Sequence, residues 1–273
     1  MHRITALSLA ALLLLGCTAP RPAVDAQPPA PTPAAAPAET VEAFFARVSE
    51  ERRASSPQAM GAMLRGTERE ADYLGRLDIP SVAGTKASFE LARRHRAELA
   101  RFESVDLSPQ HRLSLDILAW TLDQQIAGEA FIWHDYPVNQ LMAIHNMLPG
   151  FMTAQHPLRN DRDLDFYLQR LAQFPAAFAG TVEVVAYRAE RGIVPPRFAI
   201  EKTIRDSRAF IAGPPENNPL VTEIVARADR DGVLSPERRA TLEAELAGAV
   251  NAHVKPAYQN LIDYLEVLLA GAP

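Results

Sequence analysis

Residues 160–191 read NDRDLDFYLQRLAQFPAAFAGTVEVVAYRAER and predict two consecutive helices. After Asn160, a residue type that caps helix N-termini, the apolar side chains recur at helical spacing: Leu164, Tyr167, Leu168 and Leu171. Pro175 interrupts this helix, and a second helix runs to Arg191, where Gly192 stops it. The stretch therefore indicates helix packed on helix.

The same helical signal continues from Thr40 to the end of the sequence. A serine followed by proline starts a helix well, because serine caps the helix and proline needs no hydrogen-bond partner at the first position. This pair occurs three times: Ser56-Pro57, Ser108-Pro109 and Ser235-Pro236. The last pattern runs from Pro236 to Leu269, and Pro256 should kink it. No alternating run is long enough for a strand, so we predict an all-α array of about eight to ten antiparallel helices without a sheet.

Apolar spacing also predicts which side chains face the interior. In residues 84–103 these are Phe89, Ala92, Leu99 and Phe102, and in residues 109–129 they are Leu113, Ile117 and Trp120. A short helix is predicted to begin near Pro219. Six aromatic residues are expected in the core rather than in a ligand-binding box: Tyr136, Phe151, Phe166, Tyr167, Phe174 and Phe198.

Composition excludes some classes of protein. The 273 residues are 48% apolar and 22% charged, with a net charge of −5, which is ordinary for a soluble globular protein. The sequence contains no Lys/Arg block, so nucleic acid is not an expected partner. A single cysteine, Cys17, allows neither an intrachain disulfide nor a cysteine-based metal site.

The N-terminus has the pattern of a secretion signal. Residues 1–16 combine a basic start with about a dozen mostly apolar residues, too few to span a bilayer. They end in Leu14-Leu15-Gly16-Cys17, which resembles the bacterial lipobox and predicts a diacylglycerol on the Cys17 thiol. The alternative is a buried structural cysteine after an ordinary signal peptide. By resemblance to Gram-negative lipoproteins, an aspartate after the lipidated cysteine would signal retention in the inner membrane, and Thr18 stands at this position instead. The resemblance therefore implies an outer-membrane lipoprotein facing the periplasm.

Two further segments complete the predicted domain organisation. Residues 17–38 are rich in proline and alanine and contain one large apolar residue, Val24, so they predict an extended tether after the lipidated cysteine. Residues 39–273 form the all-α domain. The predicted attachment to a membrane is through the lipid anchor.

Residues 135–157 concentrate aromatic, amide and imidazole groups within an otherwise plain helical sequence. Five of them are candidates for the wall of a substrate cleft that holds a peptide-like or carbonyl ligand: Tyr136, Asn139, Gln140, His145 and His156. In the alternative interpretation, which we favour for the two amides, they tie a loop to the backbone.

A second candidate group follows the prolines at 195–196. Arg197 can bind a carboxylate in the cleft, with Glu201 and Lys202 beside it. The alternative is an ordinary ion pair between Arg197 and Glu201 on a helix surface.

Apparent metal motifs in the sequence have simpler explanations. His134, His145 and His156 are evenly spaced, and Asp135 adds a carboxylate, but Pro149-Gly150 should break the helix that would align them. We therefore predict capping and loop hydrogen bonds for these histidines. Residues 229–235 look like part of an EF-hand, but arginines occupy the first and last ligand positions, where calcium needs carboxylates. The acidic residues at 161, 163 and 165 suit the first turn of a helix.

Several motifs, in this order and spacing, resemble the N-terminal half of the bacterial family known as domain of unknown function 885 (DUF885). They are YPVNQ at 136–140, LPGF at 148–151, HP at 156–157, GIVPPRF at 192–198 with EK at 201–202, and PAY at 256–258. The resemblance covers roughly residues 41–268. It implies an all-α fold, frequent lipoprotein status, and a C-terminal half whose His-Glu and Pro-Gly-His motifs are similar to those of zinc metallopeptidases. A hydrolytic role is implied from those motifs.

That zinc motif does not occur in this sequence. None of its seven histidines is followed by glutamate, whereas a helical zinc site needs two histidines on one face and a glutamate that activates water. We expect no cofactor and no catalytic residue in this chain, and zinc only in the C-terminal half that the resemblance places outside it. One hypothesis is that this chain is the lobe that forms the substrate cleft of a hydrolase, and that the C-terminal half or a partner chain supplies the zinc motif. The other is a non-enzymatic envelope binding or scaffold lipoprotein.

Overall fold

The computed structural model describes residues 39–273. The predicted signal peptide, Cys17 and the tether lie outside the described residues. Within 39–273 the secondary structure is helical and contains no strand. The predicted all-α fold is therefore confirmed.

The α-helices, numbered in chain order, are α1 Val41–Arg53, α2 Pro57–Met63, α3 Ala71–Leu74, α4 Val82–Glu98, α5 Pro109–Gly128, α6 Ile144–Ala154, α7 Asp161–Leu171, α8 Phe174–Ala189, α9 Arg197–Ile211, α10 Pro219–Asp231, α11 Pro236–Ala249 and α12 Lys255–Leu269. α3 is a single turn, and a π-helical segment, Val250–Val254, joins α11 to α12 just before Pro256. If the single-turn α3 is left out and α11 and α12 are counted as one continuous helix, the described residues form ten helices, at the upper end of the predicted number. α10 begins at Pro219, as predicted, but it is thirteen residues long, so the prediction that this helix is short was wrong.

The predicted helix starts are present as capping hydrogen bonds. The Asn160 side-chain oxygen accepts from the Asp163 amide at 3.0 Å. The hydroxyls of Ser56, Ser108 and Ser235 each accept from the amide three residues further on. Gly232 ends α10 in the left-handed conformation, with φ of 58°, so the EF-hand-like stretch is a helix end joined to a serine cap.

α6 continues through Pro149, so the predicted break at Pro149-Gly150 was wrong. A proline inside a helix removes the amide that would bond the carbonyl four residues earlier, which here belongs to His145. The Tyr258 hydroxyl donates to this carbonyl oxygen at 2.6 Å instead. The helix therefore survives its proline because α12 supplies the missing donor.

α5 is turned the opposite way from the prediction. Leu115 and Leu122 are buried with α1 and α4, whereas the three residues predicted to face inward are largely exposed: Leu113 at 53%, Ile117 at 56% and Trp120 at 66%. Both faces of α5 carry apolar side chains, so spacing alone did not identify the face that packs. We call these three exposed residues the α5 stripe.

The interior has a larger and a smaller apolar cluster. The larger lies among α6 to α12, where α12 packs against α8 and α9 around Tyr258 and Phe178. The smaller lies among α1, α4 and α5 around Phe44. Two of the aromatic residues predicted for the core, Tyr136 and Phe198, are exposed instead, because Tyr136 lies in the loop before α6 and Phe198 in the first turn of α9.

The segment at 73–80 is attached to α7 and α8. Gln173 accepts from the Leu77 amide at 3.0 Å and donates to the Gly75 carbonyl oxygen at 2.5 Å. Gly180 of α8 lies so close to the Pro80 carbonyl that a Cβ at this position would overlap the oxygen. These contacts bring the segment against the end of α7, where the candidate site lies.

Candidate functional site

Arg170, near the end of α7, is fully buried, with 1% of its surface exposed. Its Nε donates to the Arg76 carbonyl oxygen at 3.0 Å, and Nη1 donates to His156 Nδ1 at 2.7 Å. Nη2 donates to the Tyr73 carbonyl oxygen at 3.4 Å. All three acceptors are neutral, and burial lowers the pKa of Arg170 to about 10 against the opposing field of Asp78. Arg170 is therefore a buried cation that makes no ion pair within residues 39–273.

His156 is the neutral partner of Arg170. Because arginine can only donate, His156 Nδ1 must accept, which places the ring proton on Nε2, 2.9 Å from the Asp163 carbonyl oxygen. Burial lowers the pKa of His156 to about 4; the Asp163 carbonyl opposes this shift, and the field of Arg170 adds to it. The imidazole is uncharged at neutral pH and orients the guanidinium.

Arg170 forms part of the wall of a cavity of about 260 Å³. The polar side chains of Gln58 and Gln155 and the exposed Arg65 also line this cavity. Glu70 lines it too, but its Oε2 already accepts from Arg159 Nη1 at 3.1 Å. The cavity thus has two cations that make no ion pair within residues 39–273, and one carboxylate that is already paired.

A second cavity, of about 420 Å³, shares three wall residues with the first: Gln58, Phe151 and Gln155. Its remaining wall is mostly apolar, with Met142, Met147, Leu148 and Val184, and it also contains the Asp78 carboxylate. The Phe151 ring lies between the two cavities and contacts the Arg170 guanidinium, with 4.8 Å from Cζ to the ring centroid. The two cavities are therefore neighbours, the first with cationic and the second with mostly apolar wall residues, and we call the pair the groove.

His145 lies in a different environment from His156. It is 2% exposed, and neither ring nitrogen has a hydrogen-bond partner within residues 39–273. Burial lowers its pKa, and the field of Asp206 on α9 opposes that shift. The buried Ser207 hydroxyl on α9 is likewise unpartnered among the described residues. The predicted cleft histidines are thus both buried, with different neighbours.

The amides of the predicted cleft lie in the loop before α6. Asn139 Oδ1 accepts from the Leu141 and Met142 amides at 2.9 and 2.7 Å, and its Nδ2 donates to the Tyr136 carbonyl oxygen. The backbone carbonyl oxygen of Gln140 accepts from Asn146 Nδ2 at 3.1 Å. This arrangement has the geometry of a loop tied to its own backbone, while Pro137 and Met142 of the same loop line the apolar end of the groove.

Arg197 at the start of α9 contacts the end of α12. Its Nη2 donates to the Leu269 carbonyl oxygen at 3.1 Å, and its amide donates to the Pro273 carbonyl oxygen at 2.9 Å. Nη1 is 3.8 Å from Glu201, with both side chains half exposed, and Lys202 is exposed. No hydrogen bond within residues 39–273 joins these three residues to the 136–156 group. Their role in a cleft stays a prediction.

The three evenly spaced histidines do not meet. His134 is exposed, and the neighbouring Asp135 pairs with the buried Arg188 of α8, whose Nε is 3.0 Å from Oδ1. Among residues 39–273, no three His, Cys, Asp or Glu side chains are grouped so that they could hold a metal ion. The described residues therefore do not fit the zinc that the resemblance implies for the family.

The sequence did contain a signal for the Arg170 site. Arg170 lies three residues after Tyr167 and next to Leu171, both of which belong to the buried face of α7. A charged residue on such a face needs a buried partner or a ligand. The segment at 73–80 had no comparable signal, because its contribution comes from backbone carbonyls.

Together these features define an all-α domain with a groove that ends at a buried arginine. Its family is identified by residues 60–273, which match the model of "Bacterial protein of unknown function (DUF885)". The chain belongs to this family, as its motifs indicated. No helix among the described residues is both long and apolar enough to cross a membrane.

Two solved structures share the fold. One, from Colwellia psychrerythraea, is of a protein inferred to be a lipoprotein; its TM-score is 0.69 at 19% identity, and the match covers 84% of this chain and 42% of that one. The other, from Shewanella oneidensis, is of a protein of unknown function also inferred to be a lipoprotein; its TM-score is 0.54 at 17% identity, covering 86% of this chain and 38% of that one. This chain thus spans less than half the length of either. No protein of curated function matches it.

Proposed function

We propose that this chain is the cleft-forming helical lobe of a lipid-anchored envelope protein, and that a second lobe packs on it and carries the hydrolytic groups. The observation that carries this proposal is the α5 stripe. A helix that is apolar on two opposite faces is normally covered on both. In α5 one face is buried and the face with Ile117 and Trp120 is exposed.

The stripe borders a groove that suits a docking helix. The groove, of about 550 Å³, lies between α1 and α5 and is lined by Phe45, Val48, Ile117 and Leu118. Arg52 also lines it, and one of its guanidinium nitrogens, Nη1, is buried without a hydrogen-bond partner in residues 39–273. A second lobe that presents apolar side chains to the stripe and a carboxylate to Arg52 would satisfy both features.

The length of the relatives supports a second lobe. More than half of each of the two similar solved chains lies outside the match to this chain. The resemblance implies that this remaining part carries the His-Glu motif. In this proposal zinc, peptidase-like hydrolysis and the nucleophilic water all belong to the second lobe, and residues 134–157 and 195–202 shape the cleft.

The membrane attachment is proposed to be through Cys17, on the outer membrane and facing the periplasm. The lipobox pattern supports this, as does the lipoprotein inference made for both similar structures. Cells fed a clickable palmitate analogue should label the wild-type protein, and Cys17→Ser should abolish both the label and membrane fractionation. An unlabelled wild-type protein would contradict the anchor.

The hydrolase part is tested by reading the DNA after codon 273. We expect this DNA to encode a helix with a His-Glu…His motif, either in frame or in an adjacent gene. The two-lobe protein should then bind stoichiometric zinc and cleave a peptide, whereas residues 39–273 alone should do neither. If the two-lobe protein is also metal-free and inactive but binds an envelope partner, the non-enzymatic scaffold function replaces this one.

A further inference from the structure

We infer that the groove at Arg170 is a binding site for the carboxylate of a short apolar peptide. The inference goes beyond the proposed second lobe, because the groove is built entirely from residues between Gln58 and Val184. It rests on the buried guanidinium, on the composition of the two joined cavities and on the balance of charge around them.

The first step is the hydrogen-bonding capacity of Arg170. A guanidinium has five N–H donors. Three are used, by the Arg76 carbonyl, His156 Nδ1 and the Tyr73 carbonyl, the last at the long distance of 3.4 Å. One N–H of each terminal nitrogen therefore has no acceptor among the described residues. Donors on two adjacent guanidinium nitrogens are the kind of group that can bind the two oxygens of one carboxylate.

The second step is the balance of charge. A buried charge normally has a charged partner, since its transfer from water is costly. Neither nearby carboxylate makes an ion pair with Arg170: Asp78 acts on it only through its field and accepts from the Ser56 hydroxyl at 2.5 Å and the Gln58 backbone amide at 3.0 Å, and Glu70 accepts from Arg159. His156 cannot compensate the cation, because an imidazole is either neutral or positively charged. An external anion would do so.

The third step is the shape of the site. A volume of about 260 Å³ is slightly less than that of a typical small-molecule site, which suits one end group rather than a whole ligand. The adjoining cavity of about 420 Å³, with its methionine, leucine and valine wall, can accept apolar side chains. Gln155 and the Nε2 of Gln58, whose Oε1 already accepts from the Asp78 backbone amide at 3.0 Å, line both cavities and can hydrogen-bond a peptide backbone. The chemistry thus fits a peptide that ends or projects a carboxylate at Arg170.

The test is isothermal titration of the full chain with N-acetyl-Ala-Leu-Ala as the free acid, its C-terminal amide, and N-acetyl-Ala-Leu-Asp amide. We expect the free acid to bind at least about tenfold more tightly than the first amide, since a charge-assisted pair is lost. If the Asp peptide binds as tightly as the free acid, the site accepts any peptide carboxylate. If it binds more weakly than the free acid, the site is specific for the C-terminal carboxylate of a peptide. Equal binding of free acid and first amide, or no binding of either at millimolar concentration, would overturn the inference.

Variants test the residues. Arg170→Lys keeps the charge but loses the paired donors, so it should bind the free acid at least about tenfold more weakly. If this variant does not fold, Arg65→Gln decides, because Arg65 is exposed and its loss should weaken binding severalfold without lowering the melting temperature. Arg205→Gln is the matched control; Arg205 is 68% exposed on α9 and pairs with its neighbour Asp206. Equal affinities of the Arg65 and Arg205 variants would contradict the site.

Discussion

The Tyr258 hydroxyl donates to the His145 carbonyl oxygen at 2.6 Å, in place of the amide that Pro149 cannot supply. Both residues are buried, and Tyr258 is stacked on Phe210 and packed against Phe178. This one bond allows α6 to continue through its proline and attaches it to α12. The fold on one side of the groove therefore depends on a contact between residues far apart in the sequence.

Removal of that hydroxyl should destabilise the protein. Tyr258→Phe leaves a buried carbonyl without a donor, which should lower the free energy of unfolding by about 1–3 kcal/mol. Pro149→Ala restores the backbone amide, so in this background Tyr258→Phe should cost at least about 1 kcal/mol less. Urea unfolding of the four proteins measures the difference.

Tyr264→Phe is the matched control for this cycle. It removes a hydroxyl from the same helix that makes no hydrogen bond within residues 39–273, so its effect should stay within about 0.5 kcal/mol. A Tyr258→Phe cost that is equal in both backgrounds would mean that the hydroxyl does not substitute for the missing amide.

Acid should weaken the fold through His156. Its pKa is about 4 in the folded protein and near 6.5 when unfolded, so between these values only the unfolded chain takes up a proton. The stability contributed by neutral His156 is complete above pH 6.5 and is lost as pH falls toward 4. Between pH 7 and pH 5 the loss should be about 2 kcal/mol.

The matched variant for this pH effect is His156→Gln, whose amide can accept from Arg170 and donate to the Asp163 carbonyl without titrating. Between pH 7 and pH 5, the free energy of unfolding should fall by about 2 kcal/mol less in this variant than in the wild type. His145, whose pKa burial also lowers, titrates in both proteins and cancels in the comparison. Parallel pH profiles would show that His156 is protonated as readily folded as unfolded.

Two glycines inside helices should respond oppositely to alanine. Gly180→Ala would drive a Cβ into the Pro80 carbonyl oxygen and should cost about 2 kcal/mol or more. Gly248 in α11 has nothing within 4 Å of the corresponding Cβ position, so Gly248→Ala should stabilise the protein by about 0.5–1 kcal/mol. Thermal unfolding compares the two; equal effects would contradict the close approach of α8 to the 73–80 segment.

Helix starts could be predicted because their cause is local. Asn160, Ser56, Ser108 and Ser235 cap the helices that the sequence indicated, and Pro256 follows the π-helical segment where a kink was expected. The family also followed from the sequence, since its motifs are short and ordered.

Non-local features were beyond the sequence. The survival of α6 through Pro149 depends on a hydroxyl from α12, and the buried face of α5 depends on α1 and α4 rather than on its own spacing. Arg170 could have been noticed as a charge on an apolar face, but its acceptors are carbonyls of Tyr73 and Arg76, whose positions no local pattern predicts.

The orientation of α5 is testable by paired substitutions. Leu122→Ala, at a fully buried position, should lower the free energy of unfolding of residues 39–273 by about 2–5 kcal/mol. Trp120→Ala, at a position 66% exposed, should change it by no more than about 0.5 kcal/mol. If urea unfolding shows a larger loss of stability for Trp120→Ala than for Leu122→Ala, α5 packs through the face that the apolar spacing predicted.

The central claim, that the α5 stripe receives a second lobe, is tested most directly by the affinity between residues 39–273 and the lobe encoded next to them. Analytical ultracentrifugation should show a one-to-one complex with the wild-type chain. Ile117→Glu with Trp120→Glu should weaken it at least about a hundredfold, as a buried apolar anchor becomes charged. Gln110→Glu, which adds charge to the same helix and keeps the stripe, should bind like the wild type. A double variant that binds as tightly as the wild type would contradict the account.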